Sequence, residues 1–335
     1  DSLRISSLSG KEVSRDPVHI SWDIAQAQKQ GYKHFMLKEI NEQPKIIENL
    51  LKLRIKGERV IFDEQKIPEA KLKGIKNIFI VACGTAYHAG MVGKYIIESI
   101  CSIPVSVDVS SEFRYRDLLL DKDTLVIAVS QSGETADTLA GIKEAKKYGA
   151  RILSICNVLG SSLTRESDGV IYTHAGPEMG VASTKAYTAQ LMAFYFLAFY
   201  LAELRGVLPR EKIAQALLEL KKIPRQQKEI LKNQAAIATL AKRHSHLGSF
   251  LYLGRHVNFP SALEGALKLK EISYIPAEGY AAGEMKHGPI ALIDEYRAVV
   301  CISPDSHVYE KMVSNIQEIR ARQGKIIAIA SLGDE

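Results

Sequence analysis

The sequence predicts an α/β protein made of two doubly wound parallel-sheet domains, each with three αβα layers, joined by helices. Short apolar runs alternate with helical stretches along most of the 335 residues. These runs are continuously apolar, which is typical of parallel strands covered by helices on both faces. The same series of landmarks also occurs twice in the chain, which indicates one domain present in two copies.

The first copy contains five predicted strands separated by helical segments. They lie at residues 77–83, 105–109, 124–130, 151–157 and 169–175. In a sheet of this kind ligands bind at the carboxyl ends of the strands, where loops lead into the first turns of helices. The turns that follow these strands are therefore the places to search for a functional site.

The second copy repeats four landmarks of the first in the same order and at nearly constant spacing. The pairs are Gly84 and Gly254 after a strand, Pro104 and Pro276, Glu112 and Glu284, and the strands at 126–130 and 299–303. A single match of this kind would carry little weight, but four matches in order predict a duplicated domain.

The landmarks divide the chain into four parts. Residues 1–57 form a polar lead-in followed by a helix, and residues 58–208 form the first sheet domain. Residues 209–243 are helical in composition and form a connector, interrupted by Pro224. Residues 244–335 form the second sheet domain, which we expect to be incomplete at its C-terminus because the chain stops after a strand at 326–330.

Composition and charge favour a protein that handles a small anion. The chain is 46% hydrophobic and 24% charged, as in ordinary globular proteins. Its net charge of +6 is modest and no block of basic residues is present, so we predict no nucleic-acid partner. The cysteines show no CxxC pair, which predicts reduced thiols in a cytoplasmic protein with neither a metal site nor a cofactor.

One apolar run, residues 187–204, approaches the length that spans a membrane. Thr188, Gln190 and Glu203 interrupt it, and no basic cluster flanks it. We therefore predict a helix buried on nearly all sides and no membrane partner. The N-terminal residues also lack the apolar segment of a secretion signal.

The stretch VSQSGETAD at 129–137 places Ser130, Gln131, Ser132 and Thr135 in a turn between a strand and a helix. Free N–H groups and the helix dipole favour an anion at such a turn. Hydrogen bonds to a charged group contribute about 1.5–3 kcal/mol each, so four neutral donors supply on the order of 6 kcal/mol or more. Micromolar to millimolar binding needs about 4–8 kcal/mol. The turn therefore predicts a phosphate monoester, and the lack of a P-loop motif argues against a nucleoside triphosphate.

The alternative for this turn is that Ser132 or another hydroxyl only caps the helix, with Glu134 and Asp137 near its positive end. Capping explains one hydroxyl rather than four polar side chains in six positions. The turns with Gly84 and Thr85, and with Ser183 and Thr184, carry a weaker signal. A Gly after a strand and a hydroxyl before a helix are both common without a ligand.

Lys268 and Glu271 are three residues apart, so a helix places them on one face. The usual explanation of such a pair is a solvated surface ion pair. The pair instead has apolar neighbours, which predict a helix covered on several sides: Leu267, Leu269, Ile272, Tyr274 and Ile275. A carboxylate in that setting can move a proton between two carbons, and His287 in a nearby loop can act as a second acid or base.

Several of these segments together closely resemble the isomerase domain of the glutamine–fructose-6-phosphate aminotransferases, which is a pair of sugar-isomerase (SIS) domains. The segments that carry the resemblance include CGTAYHAG at 83–90, SQSGETADTLAG at 130–141, GVASTKAYTAQL at 180–191 and KLKEISYI with EMKHGP inside 268–289. The resemblance covers nearly the whole chain. It implies amination and isomerisation of fructose 6-phosphate to glucosamine 6-phosphate, the first step of amino-sugar synthesis.

The resemblance also implies roles for individual residues. Ser130, Gln131, Ser132 and Thr135 would hold the substrate phosphate. The residues that would line the sugar are Cys83, Gly84, Thr85, Val181 and Ser183. Glu271 would move the proton between C1 and C2 with Lys268 close by, and His287 would assist ring opening from the neighbouring subunit of a homodimer.

Three departures from the family pattern bear on activity. The glutaminase half is absent from this sequence, so we expect no glutamine hydrolysis by the chain alone. The C-terminal tail with its imine-forming lysine is also absent, which puts the covalent step in doubt. The family usually has a serine where Ala86 stands, and we expect binding to survive that change because the phosphate donors remain.

An alternative from another class is a non-catalytic SIS module that senses or binds a phosphosugar. Glu271 together with His287 separates the two hypotheses, because a pure sensor needs neither an acid nor a base.

Overall fold

A computed structural model describes residues 3–14 and 27–334 of the chain. The part of the predicted lead-in at residues 1–2 and 15–26 lies outside the described residues. The first long element is α1 (Phe35–Arg54), followed by a small antiparallel hairpin of β1 (Ile55–Lys56) and β2 (Arg59–Val60). A short helix, α2 (Glu69–Lys73), then leads into the first large sheet.

The first sheet domain alternates strands and helices as the sequence predicts. Its elements are β3 (Asn77–Ala82), α3 (Gly84–Cys101), β4 (Val105–Val109), α4 (Ser110–Phe113), β5 (Thr124–Ser130), α5 (Ala136–Lys147), β6 (Arg151–Cys156), α6 (Ser162–Glu166) and β7 (Gly169–Tyr172). The five strands are all parallel and lie in the order β4-β3-β5-β6-β7. The connection therefore reverses direction beside β3, as in doubly wound sheets.

Alternate side chains of these strands enter two separate cores. Ile80 and Ile127 pack with the apolar residues of α3 and of α7 (Lys185–Arg205) on one face. Val81 and Val126 pack with Phe113 and the helices on the other face. A strand buried on both faces is apolar along most of its length, which explains the continuous apolar runs. The three-layer αβα arrangement is confirmed.

The long apolar run is the helix α7, and most of its 21 residues are buried. It packs against α3 on one side and against α1 on another. Phe194 and Phe196 are almost fully buried at these contacts. Within residues 3–14 and 27–334, no helix has the length and hydropathy needed to cross a membrane. The prediction of a helix buried on nearly all sides is confirmed.

Three helices follow α7 and lead to the second sheet domain. They are α8 (Arg210–Leu220), α9 (Ile223–Leu231) and α10 (Gln234–His244), and Pro224 lies in the first turn of α9, where a missing N–H costs no helical hydrogen bond. The second domain contains β8 (Ser249–Gly254), α11 (Asn258–Ser273), β9 (Ala277–Ala281), β10 (Arg297–Ser303), α12 (Tyr309–Ala321) and β11 (Lys325–Ala330). Two 3-10 helices, Ala282–His287 and Pro289–Leu292, stand between β9 and β10.

The two sheets have the same topology. The order of the second is β11-β10-β8-β9, all parallel, and this matches the first four strands of the first sheet. The N–H of Ile78 donates to the carbonyl of Pro104, and the N–H of Phe250 donates to the carbonyl of Pro276. The proline landmarks therefore mark equivalent strand starts. The two-copy architecture is confirmed, and the boundaries proposed at 58, 209 and 244 stay predictions.

The domains meet where α11 of the second packs against α3 of the first. Tyr95 of α3 lies with its ring centroid 4.6 Å from that of His256, which lies two residues before the start of α11. Thr85 at the start of α3 lies beside the middle of α11, where it bonds to Glu264. The two helices thus run in opposite directions, and this contact brings the C-terminal half of α11 to the strand ends of the first sheet.

Candidate active site

A cavity of about 180 Å³ opens at the carboxyl ends of β3 and β5. Its lining residues are Cys83, Thr85, Ala86, Val129, Ser130, Gln131, Ser132, Thr135, Ser183 and Gln190. Most of the substrate-binding residues that the sequence predicts are therefore brought together in one place. The cavity is small and polar at one end, which suits a compact anionic ligand.

The turn after β5 supplies the polar end of the cavity. Ser130 Oγ accepts a hydrogen bond from the N–H of Gly133 at 3.0 Å and lies 3.0 Å from Thr135 Oγ1. Ser132 Oγ accepts from the N–H of Glu134 at 3.2 Å. Thr135 is the N-cap residue of α5, and no side chain caps this helix. The capping alternative therefore does not account for these hydroxyls, and Ser132 still has its O–H to donate.

Gly133 fixes the shape of this turn. Its φ of +69° lies in the left-handed region, and a Cβ at this position would collide with Ser161 Oγ. The carbonyl of Gly133 accepts from the N–H of Leu163 at 2.9 Å, and the Glu134 carboxylate accepts from the N–H of Ser162 at 2.8 Å. That backbone N–H lowers the pKa of Glu134. The turn is thus held against the segment that follows β6.

The turn after β3 forms the opposite wall. Cys83 and Thr85 line the cavity, while Gly84 between them is exposed and has a φ of +54° that favours glycine. Thr85 Oγ1 donates to Glu264 Oε1 at 2.9 Å and accepts from Lys268 Nζ at 3.0 Å. A hydroxyl has one proton and two lone pairs, so Thr85 keeps one acceptor position for a ligand.

The loop before α7 contributes Ser183, whose hydroxyl donates to Glu178 Oε2 at 2.8 Å. The other oxygen of Glu178 accepts from the N–H groups of Thr184 and Ala186 and so satisfies the first turn of α7. Val181 in the same loop is 95% exposed and does not line the cavity. The structure therefore brings Ser183 to the other predicted residues and leaves Val181 at the surface.

A buried carboxylate links the two domains beside the cavity. Glu264 is 6% exposed and pairs with three side chains: Thr85, His88 Nδ1 at 2.7 Å and Lys268 Nζ at 3.3 Å. Three polar partners offset the cost of burying this charge. We define Thr85, His88, Glu264, Lys268 and Glu271 as the interdomain network.

The predicted catalytic pair belongs to this network. Lys268 Nζ lies 2.7 Å from Glu271 Oε2, and their side chains are 15% and 32% exposed. The pair is therefore not a fully solvated surface ion pair. The expectation of cover on several sides fails at the end of α11, because Ile272 and Tyr274 are 55% and 89% exposed. Through Thr85, Lys268 connects this pair to the cavity wall.

His287 ends the first 3-10 helix and is exposed. Among the residues that the structure describes, no hydrogen bond or ion pair joins it to the interdomain network. The predicted acid or base therefore stands apart from the other two catalytic candidates within one copy of the chain.

Three residues of the site were not predicted from the sequence: Glu264, Glu178 and Gln190. Glu264 is four residues before Lys268, so its helical spacing gave a usable signal. Glu178 lies in an irregular loop, and its capping role depends on how that loop folds back on α7. Gln190 was noticed only as an interruption of an apolar run, although it lines the cavity.

Comparison with known proteins agrees with this architecture. A family model described as SIS domain matches residues 71–200 and 244–335. The glutamine–fructose-6-phosphate aminotransferase (isomerizing) of Clostridium tetani is 48% identical over 336 residues, which are 100% of this chain and 55% of that protein. The Thermus thermophilus protein of the same name is 49% identical over 339 residues, with the same coverage. The chain thus spans about half the length of the curated relatives it matches.

A solved structure extends the comparison to three dimensions. The C-terminal domain of glucosamine-fructose-6-phosphate aminotransferase from Francisella tularensis superimposes with a TM-score of 0.88 at 44% identity. The match covers 90% of this chain and 85% of that one. The chain therefore belongs to the SIS domain family, and its sequence and fold group it with the C-terminal domains of glucosamine-fructose-6-phosphate aminotransferases.

Proposed function

We propose that this chain is the isomerase part of a glutamine–fructose-6-phosphate aminotransferase and converts fructose 6-phosphate and ammonia to glucosamine 6-phosphate and water. The observation that carries the proposal is the 3.0 Å contact between Lys268 Nζ and Thr85 Oγ1. It connects an acid–base pair on α11 to the wall of a cavity that has phosphate-binding chemistry. The names of the relatives support the same reaction.

In this proposal the turn after β5 binds the phosphate. Ser130, Gln131, Ser132 and Thr135 all line the cavity and carry neutral donors. The N–H groups of the first turn of α5 have no partner within the helix, and the helix begins directly after Thr135, which lines the cavity. Neutral donors suffice to bind a dianion. Because these donors carry no positive charge, they place no cation at the phosphate end that would compete for the Glu271 carboxylate.

The sugar part then extends toward Cys83, Thr85 and Ser183. Ammonia replaces the C2 carbonyl oxygen, which leaves as water. Glu271 accepts a proton from C1 and returns it to C2, while the proton of the C1 hydroxyl passes to the nitrogen, so that C1 becomes the aldehyde and C2 carries the amine. Lys268 Nζ lies 2.7 Å from Glu271 Oε2 and holds the carboxylate in position.

The partners of the whole protein belong to the same proposal. A glutaminase domain would supply the ammonia, as the names and greater lengths of the relatives suggest. A homodimer would bring the exposed His287 of one subunit to the site of the other. Ile272 and Tyr274 at the end of α11 are exposed, and these large side chains support an apolar contact between subunits at this end of the helix. A cytoplasmic location stays a prediction from the free cysteines.

The test is to incubate the protein with fructose 6-phosphate and ammonium chloride and to follow the products by NMR. Added ammonium makes the result independent of a glutaminase. We expect glucosamine 6-phosphate or, without ammonium, glucose 6-phosphate. Binding of fructose 6-phosphate with no product in either condition would favour the non-catalytic sensor.

A further inference from the structure

Gln190 is a buried amide in an apolar helix, and the proposed mechanism does not use it. It is the only amide side chain of α7, and the residue is 2% exposed. Its neighbours Ala189, Met192 and Ala193 are all buried in the cores that α7 shares with the first sheet and α1. Yet Gln190 also lines the candidate cavity.

The amide of Gln190 lacks the partners that a buried polar group normally has. Its Oε1 is buried and makes no hydrogen bond within the described part of the chain. Nearly all buried polar groups in native proteins are paired with protein or with a bound molecule, and unpaired ones are costly. Because the terminal amide rotates about its last torsion angle, either of its polar atoms can face the cavity.

The position of Gln190 assigns it to the sugar end of the cavity. It lies in the second turn of α7, Ser183 lies in the loop that precedes this helix, and both residues line the cavity. The phosphate end is already supplied by the four polar side chains of the turn after β5. The opposite wall offers Cys83, Thr85 and Ala86; Cys83 and Ala86 are not strong hydrogen-bonding groups, and Thr85 has only one acceptor position left.

The chemistry of the amide narrows the choice further. A phosphate dianion only accepts hydrogen bonds, whereas a sugar hydroxyl both donates and accepts. An amide offers a carbonyl oxygen and an NH₂ group, so it complements a hydroxyl in both roles. Sites that hydrogen-bond a substrate hydroxyl reject analogues that lack it, because the buried polar group is then left unpaired.

We infer that the Gln190 amide binds a hydroxyl of the sugar part of the substrate and thereby determines which hexose phosphates the site accepts. This inference rests on the proposed function, because it assumes a sugar phosphate in the cavity. Gln190 acts in recognition and takes no part in proton transfer.

The test measures dissociation constants by calorimetry for fructose 6-phosphate and for inorganic phosphate. Gln190→Leu keeps a side chain of similar size and removes both polar atoms. We expect it to weaken fructose 6-phosphate binding about tenfold and to leave inorganic phosphate binding unchanged. Gln317→Leu on the exposed side of α12 is the matched control and should change neither value.

A second measurement begins with the unmodified protein, so its first result does not depend on how well the variant folds. Analogues of fructose 6-phosphate that each lack one hydroxyl are titrated into the unmodified protein. We expect the unmodified protein to bind one of these analogues about tenfold more weakly than it binds fructose 6-phosphate. The Gln190→Leu variant should bind that analogue and fructose 6-phosphate equally well.

The possible negative results distinguish a failure of the inference from a failure of the proposed function. Equal binding of fructose 6-phosphate by Gln190→Leu and the unmodified protein would overturn the inference and leave the proposed function intact. An equal loss for inorganic phosphate would also overturn it, because the amide would then contact the phosphate. If the unmodified protein binds inorganic phosphate but no hexose phosphate, the proposed function fails and the inference fails with it.

Discussion

His88 Nδ1 donates a hydrogen bond to Glu264 Oε2 over 2.7 Å, and this bond joins α3 of the first sheet domain to α11 of the second. The same carboxylate accepts from Thr85 and pairs with Lys268. Because Lys268 in turn pairs with Glu271, the interface between the domains and the candidate catalytic pair share one network of hydrogen bonds and ion pairs.

Replacing His88 is therefore expected to loosen the domain contact. His88→Ala leaves the 6% exposed Glu264 with one partner fewer, which should lower the free energy of unfolding by about 2 kcal/mol. Urea denaturation measures this, and His246→Ala at an exposed position is the control. In a double-mutant cycle with Glu264→Gln the two effects should be coupled. Strictly additive effects would mean that the 2.7 Å contact contributes nothing.

Ser132→Ala is expected to separate ligand binding from folding. Within the described residues, Ser132 Oγ takes part in one hydrogen bond, which it accepts from the Glu134 N–H. Its O–H is therefore free to donate to a phosphate. Loss of a hydrogen bond to a charged group should weaken fructose 6-phosphate binding about 10- to 100-fold. Calorimetry gives the affinity, and Ser245→Ala at the end of α10 is the control. An unchanged affinity would place the phosphate elsewhere.

Stability should depend on pH through His174. Burial, followed by the nearby Arg54 charge, lowers the pKa of His174, while Glu64 opposes this. The unfolded chain therefore binds a proton near pH 6.5 that the folded chain does not, and stability falls as the pH falls from about 6.5 toward the lower folded pKa. Above that window the histidine is neutral in both states and contributes no pH dependence.

The comparison variant is His174→Asn, because His174 has a φ of +46° and asparagine tolerates the left-handed region. Denaturation between pH 5 and 7 should show a smaller loss of stability in the variant than in the unmodified protein. Parallel curves would contradict the assignment. Burial raises the pKa of Glu64, but Arg54 and backbone N–H groups together lower it, so this carboxyl titrates at lower pH and does not obscure the window.

The fold could be predicted from the sequence because its two signals, the apolar strands and the repeated glycine and proline landmarks, are visible directly along the chain. Strands such as Thr124–Ser130 are buried at every position and apolar from Leu125 to Val129, and the glycine and proline landmarks occur at matching places in both copies. The strand Ala277–Ala281 was not delineated, because its sequence AEGYA lacks an apolar run and its pairing with β8 is a tertiary effect.

The candidate site was predictable only in part, because some of its contacts join residues that lie far apart in the sequence. The turn at 130–135 is contiguous in sequence, so its residues could be found together. The bond between Thr85 and Glu264 spans 179 positions, and it depends on how α11 docks on α3. The role of Gln190 could not be predicted, because a polar residue in an apolar helix can be linked to a ligand only when the cavity beside it is known.

The most direct test of the central claim is deuterium incorporation. The protein is incubated with fructose 6-phosphate in deuterated water, and NMR follows the label at C1 and C2. Glu271→Gln should slow incorporation by about 100-fold or more, because the amide cannot accept the proton, while Glu211→Gln on α8 should match the unmodified protein. Incorporation by Glu271→Gln at the unmodified rate would contradict the assignment of Glu271 as the base.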